Sequence, residues 1–174
     1  MASTRFTRDK DTGAMVNIDV AHNLIHKGRH FVASDVTHST TLNWVVDLRT
    51  LTNTTEYHFT YNFVVDAAAI ISMYRNPAWT TTGGSLISNI NRSEIHSYTS
   101  SLAIYENVTV TTTGTARMIV CRVPANVFGN HSSGGDVSSR SEFILKTGNS
   151  YQIQCVLASS STAYANFDWY EVQD

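Results

Sequence analysis

From Gly28 onward apolar and polar positions alternate with a period of two. Phe31 and Ala33 oppose Val32 and Ser34, and Trp44, Val46 and Leu48 oppose Asn43, Val45 and Asp47. Successive side chains of a strand point to opposite faces, so this period predicts half-buried β-strands. The run Tyr57-His58-Phe59-Thr60-Tyr61-Asn62-Phe63-Val64-Val65 shows it most clearly, and its aromatic face is expected to be core. Residues 67–74 are apolar without a decisive period, but Ile70, Ile71 and the bounding Asn76-Pro77 favour a strand. Further strands are expected at 101–105, 108–112, 116–123, 142–146, 151–157 and 163–172.

Between these runs the chain is rich in turn formers. Residues 79–98 contain Thr80-Thr81-Thr82-Gly83-Gly84 and Asn89-Ile90-Asn91-Arg92-Ser93, and residues 126–140 are dominated by Gly and Ser, so both read as long exposed loops. Residues 1–16 have no period and read as an N-terminal arm that orders on a neighbour. Nine or ten short strands without a convincing amphipathic helix predict an all-β fold. The expectation is a single antiparallel β-sandwich, jelly-roll-like, over residues 17–174, preceded by the extended arm at 1–16. The last strand, ending Phe167-Asp168-Trp169-Tyr170-Glu171-Val172, is expected to close the sandwich.

Composition narrows the surface more than the fold. A chain of 174 residues fits one core. Charged residues make up 15%, against about 25% in an average soluble domain, and Ser and Thr fill the difference. The 12 Lys and Arg against 14 Asp and Glu give a formal charge of −2, which provides no field for gathering phosphate backbones, so nucleic acid is not an expected partner. No stretch approaches the ~20 apolar residues of a membrane-spanning helix, and Met1-Ala2-Ser3-Thr4-Arg5 begins no apolar signal core; a soluble protein made without a cleaved signal, and no membrane partner, is the expectation. Cys121 and Cys155 each sit in an apolar alternating run and read as buried free thiols, the alternative being a disulfide between adjacent strands.

Catalytic patterns are weak. His22, His26 and His30 are spaced by four, as metal ligands on one helix face would be, but Gly28 interrupts any such helix and Phe31 begins a strand, so polar or packing roles are expected and no metal. The chain lacks a Gly-x-Ser-x-Gly elbow. Asp168 and Glu171, three apart on a strand, face opposite sides and make no catalytic pair; each is expected in solvent or in a turn hydrogen bond. Gly83-Gly84 and Gly134-Gly135 read as loop hinges, not phosphate cradles. Neither enzymatic activity nor a cofactor is expected. Tyr74, Trp79 and Tyr98 are the aromatics a sugar ring could stack on, while Trp44 and Trp169 read as core.

Three pieces together resemble one family. His22-Asn23-Leu24-Ile25-His26-Lys27-Gly28-Arg29-His30-Phe31 resembles the His-x-x-Ile-His-x-Gly-x-x-Phe opening of tailed-bacteriophage head decoration proteins, also called capsid cement proteins. Asn89-Ile90-Asn91-Arg92-Ser93 resembles their Asn-x-Asn-Arg segment. Glu142-Phe143-Ile144-Leu145-Lys146, with Tyr151 and Asp168-Trp169-Tyr170-Glu171, resembles their closing strands. The chain departs from the pattern at Met73-Tyr74-Arg75-Asn76-Pro77, where an acidic residue is expected, and in ending Glu171-Val172 in place of Glu-His.

The resemblance implies a structural virion protein on the outer capsid surface. It would clamp subunits of the major capsid protein, commonly as a homotrimer, with no catalysis and no cofactor. The expected capsid or subunit contacts are Phe6 and Arg8 in the arm, Trp79, Asn91 and Arg92 in the first loop, and Phe128 in the second, because aromatic residues and Arg dominate interface energetics. The competing expectation is a carbohydrate-binding jelly-roll module of a phage tail or receptor-binding apparatus.

Overall fold

The computed structural model describes residues 7–8, 15–16, 24–25, 27–39, 43–51, 55–79, 84–96, 98–114, 116–123, 131–134 and 142–173, with the backbone alone at 7–8, 15–16, 34–39, 79, 116–123, 131–134 and 173. Apart from a helical pair of residues at 24–25, every element they form is a strand. The strands are β1 (Thr7–Arg8), β2 (Met15–Val16), β3 (His30–Ser39), β4 (Asn43–Thr50), β5 (Thr55–Val65), β6 (Ala69–Arg75), β7 (Ala78–Trp79), β8 (Ser85–Leu86), β9 (Ile90–Asn91), β10 (Leu102–Glu106), β11 (Val110–Thr112), β12 (Ala116–Val123), β13 (His131–Gly134), β14 (Phe143–Leu145), β15 (Ser150–Leu157) and β16 (Thr162–Gln173). The described part of the arm is the small hairpin β1–β2, with Arg8 opposite Met15.

The long strands form two antiparallel sheets. One runs β13-β5-β16-β3-β9, with β14 pairing further along β5, and the other runs β12-β6-β15-β4-β10-β8. The pairings β3 with β16, β4 with β15, β5 with β13 and β14, and β6 with β12 join the chain first to last and inward, as a long hairpin would. Wrapping that hairpin so that its pairs fall alternately into two sheets is the eight-stranded jelly roll. The expected sandwich is present, and His131–Gly134 adds a strand inside the stretch read as a loop.

The aromatic face predicted from the alternation is the core. Trp44, Tyr57, Phe59, Phe63, Phe167 and Trp169 are buried. Trp169 stacks on Phe31 with ring centroids 5.8 Å apart, and Trp44 meets Phe63 edge-on at 5.5 Å. Each fully buried side chain of this size contributes about 2–3 kcal/mol relative to exposure. Cys121 and Cys155 both stand opposite Ile71, from the two flanks of β6. That register separates them by two strand spacings, about 9.5 Å, beyond the roughly 7 Å limit between Cα atoms of a disulfide. Cys155 is a buried free thiol, and burial pushes its pKa up to about 11.

Two buried carboxylates depart from the solvent-exposed default. Glu171 points inward, whereas Asp168 points outward as the three-residue spacing requires, and Glu171 is enclosed rather than solvated. Its Oε1 accepts from the Ser100 hydroxyl at 2.7 Å and the Ser101 amide at 2.8 Å, and its Oε2 accepts from the Ser101 hydroxyl at 2.7 Å. Ser100 Oγ in turn accepts from Trp169 Nε1 at 3.1 Å, and Ser101 Oγ lies 2.9 Å from the Tyr57 hydroxyl. This network ties β16 and β5 of one sheet to the start of β10 in the other. Glu171→Ala strands the serine donors and is expected to cost about 3–5 kcal/mol in urea unfolding, with a smaller loss for Glu171→Gln, which keeps one acceptor.

Asp47 is the second case, on the outer face of β4 and wholly buried, with Arg49 Nε donating to its Oδ2. Burial raises its pKa from the ordinary 3.8 to about 6, an effect only partly offset by the hydrogen bond and charge of Arg49. The folded state therefore holds the proton more tightly than the unfolded chain. The stability this provides is complete below pH 3.8 and is lost as the pH rises through 6. Unfolding measured across pH is expected to show a decline of up to about 3 kcal/mol between roughly pH 4 and 6.5 that Asp47→Asn abolishes.

Candidate functional site

The connection from β6 to β12, residues 76–115, leaves the jelly-roll ribbon and carries β7 to β11. Its middle portion crosses from one sheet to the other at the same side of the sandwich. β8 pairs with β10 at the edge of one sheet, Ile87 donates its amide to Ile104 O at 2.8 Å and is buried, and β9 then pairs with β3 at the edge of the other. Residues 85–91 thus close one side of the sandwich.

Asn91 holds the adjoining turns in place. Its Nδ2 lies 2.7 Å from Gly28 O, 3.2 Å from His96 O and 3.1 Å from Tyr98 O, and its Oδ1 accepts from the Ser93 amide at 2.9 Å. The carbonyls it gathers lie outside the strands, where no ladder satisfies them, and the Asn91 amide takes that place. Gly28 is required beside it: its φ is +67°, and a Cβ there would stand 2.4 Å from the Cβ of His96. Arg29 then lies over the Tyr98 ring, 5.4 Å from its centroid.

Arg92 comes next, on the outer face. Its amide donates to His30 O at 2.8 Å. The His30 Nε2–H donates to Asp168 Oδ1 at 2.5 Å, and Arg92 Nη1 lies 3.7 Å from the other Asp168 oxygen and 3.4 Å from His30 Nε2. Nε2 can carry one role only, and the shorter contact assigns it as donor to Asp168. The row continues across the sheet through Tyr170, edge-on to His30 at 6.0 Å and stacked on His58 at 4.5 Å, to Glu142, whose Oε1 lies 3.0 Å from His58 Nδ1. One carboxylate thus sits at each end of a row of three rings in contact.

The other imidazole nitrogen of His30, Nδ1, is buried without a partner, and no described hydroxyl or thiol bonds to the ring. An Asp–His pair becomes a nucleophile-activating unit only when the second nitrogen reaches a nucleophile. This geometry instead fixes Arg92 and the backbone beside it. Among the described residues no three His, Cys, Asp or Glu side chains converge as metal ligands, and His22 and His26 lie outside them.

The loop displays apolar side chains. Of the eight large hydrophobic residues exposed among those described, four lie in 86–98: Leu86 at 61%, Ile90 at 64%, Ile95 at 88% and Tyr98 at 55%. Half of the large exposed apolar side chains among the described residues thus lie on this one segment, which makes it the candidate surface for a partner.

Of the sequence-predicted contact residues, Asn91 and Arg92 belong to this cluster. Arg8 lies in β1 and Trp79 in β7, where the backbone alone is described, and Phe6 and Phe128 lie outside the described residues. His30 was expected in a polar or packing role, and the partners it and its neighbours take, Asp168, Tyr170, His58 and Glu142, come together through strand register, Tyr170 standing opposite His58 on one side and His30 on the other.

Asn91→Ala is expected to speed amide exchange across residues 92–98 and to cost about 1–3 kcal/mol, the penalty of leaving gathered carbonyls unpaired. Exchange in β4 and β15 is expected to stay as it is. Comparison of the chain with protein-family models, curated proteins and solved structures finds no match.

Proposed function

We propose that this chain is a capsid decoration protein, a structural component of a virion that binds the outer surface of the major capsid shell and bridges neighbouring subunits as a homotrimer. The observation that carries the reading is a convergence. The segments around Gly28 and His30, Asn91 and Arg92, and Asp168 to Glu171, which resemble three separate pieces of the decoration-protein pattern, meet in space at one side of the sandwich. The same side carries Leu86, Ile90, Ile95 and Tyr98 in exposed positions. A clamp between capsid subunits needs a rigid body and a preformed contact surface, since order established before binding is not lost on binding. The Asn91 clamp supplies that order.

Burial of Ile90 and Ile95 against a partner would contribute about 1.5–3 kcal/mol each, and Arg92, oriented by Asp168 and His30, is placed for a charge-assisted hydrogen bond at the rim. Co-sedimentation with capsids stripped of decoration protein tests this reading. The wild-type chain is expected to bind, and Ile95→Asp and Arg92→Ala are expected to bind at least roughly tenfold more weakly, while Ile144→Ser, at the far edge of the same sheet, binds as wild type. Equal retention of all variants would contradict the assigned surface, and failure of the wild type to bind would contradict the function.

A further inference from the structure

A second feature lies on the outer face of the sheet that holds β4 and β15. The outer face of β4 and β15 is partly covered by residues 107–113, and between them runs a groove of about 640 Å3. Its floor is formed by Asn43, Val45, Gln152 and Gln154, and its wall by the segment from Asn107 to Thr113. The wall is held by β11 pairing with β7 and by the Thr111 hydroxyl, which donates to Ala78 O at 2.9 Å. The volume falls within the ~300–1,000 Å3 of ordinary ligand sites.

We infer that this groove is a binding site for a neutral oligosaccharide. Every described side chain lining it is uncharged: three carboxamides on the floor, Asn107 and four threonines along the wall, and valines between them. Among these side chains a phosphate, carboxylate or ammonium ligand meets no countercharge. Vicinal sugar hydroxyls each donate and accept, and a carboxamide presents a donor and an acceptor side by side, so the two chemistries match. Val45 and Val110 offer apolar contact to the C–H face of a ring.

Gln152 points to a ligand most directly. It is 1% exposed, and its Oε1 is buried with no hydrogen-bond partner. A buried amide oxygen left unpaired is costly, and rotation of the Gln152 carboxamide toward the groove, which it lines, would let a ligand hydroxyl satisfy it. Gln154 Nε2 donates to Asn43 Oδ1 at 3.1 Å, which orients the neighbouring floor and leaves the Gln154 carbonyl oxygen as a second acceptor. A peptide strand fits less well. It would need an unpaired sheet edge, and the floor strands are interior, β4 lying between β10 and β15, and β15 between β4 and β6.

The test is a screen of the full chain on an array of neutral and acidic glycans, followed by NMR titration of 15N-labelled protein with the neutral oligosaccharides that bind. Binding of neutral glycans is expected, with shifts concentrated at Val45, Gln154 and residues 109–113. Gln154→Ala is expected to weaken binding roughly tenfold, about the loss of one good hydrogen bond. Gln152→Leu is expected to abolish binding without lowering the melting temperature, because it removes an orphaned polar atom; should that variant fail to fold, Gln154→Ala still decides. Absence of neutral-glycan binding, selective binding of acidic glycans, or shifts confined to residues 86–98 would overturn the assignment. The groove shares no residue with the proposed capsid-binding side, so its failure would leave that reading standing.

Discussion

Glu171 brings a carboxylate into the space between the two sheets, and the arrangement of the sandwich on that side depends on how it is satisfied. Taking a carboxylate out of water costs several kcal/mol. The offset is a set of charge-assisted bonds from Ser100 and Ser101, whose hydroxyls are themselves engaged by Trp169 and Tyr57. Apolar burial holds two sheets together without fixing where along them a given strand begins. The serine pair fixes that for β10, and with it the path of the chain that crosses between the sheet edges just before.

From that fixed point the remaining order is local. β8 registers on β10, Ile87 enters the core, β9 reaches β3, and Asn91 gathers the carbonyls of the turns on either side. The jelly roll itself uses only the paired ribbon from β3 to β16. Residues 76–115 are an excursion from it, and they supply both the apolar side that we assign to capsid binding and the wall of the groove that we assign to a glycan. The scaffold thereby provides rigidity and the excursion provides the surfaces, a division common where loops on a β framework carry function.

The strands and the aromatic core were legible because alternation is a local signal: each of Phe59, Phe63, Trp44 and Trp169 reports its face through its immediate neighbours. Glu171 was not legible. Its spacing from Asp168 correctly separated the two carboxylates onto opposite faces, but what meets Glu171 comes from Ser100 and Ser101, far away in sequence. The same holds for Asp168, which is joined to His30 and Arg92 by register alone. Asn91 and Arg92 were singled out because they stand in a pattern that resembles a family motif; in the structure the Asn91 amide lies within hydrogen-bond distance of three carbonyls and the Arg92 guanidinium stands beside the Asp168 carboxylate. The polar groove left no trace in the sequence, since Gln152 and Gln154 occupy ordinary outward positions of a strand and their significance arises only when residues 107–113 lie above them.

On the proposed function, the side of the sandwich that carries Leu86, Ile90, Arg92 and Ile95 turns toward a capsid. Electron cryomicroscopy of intact particles that contain this chain decides whether it does. The expected result is density for the jelly roll at junctions between capsid subunits, with Ile90, Arg92 and Ile95 against the major capsid protein. Density on a tail or fibre, or a jelly roll on the head that turns residues 85–98 to solvent, would contradict it.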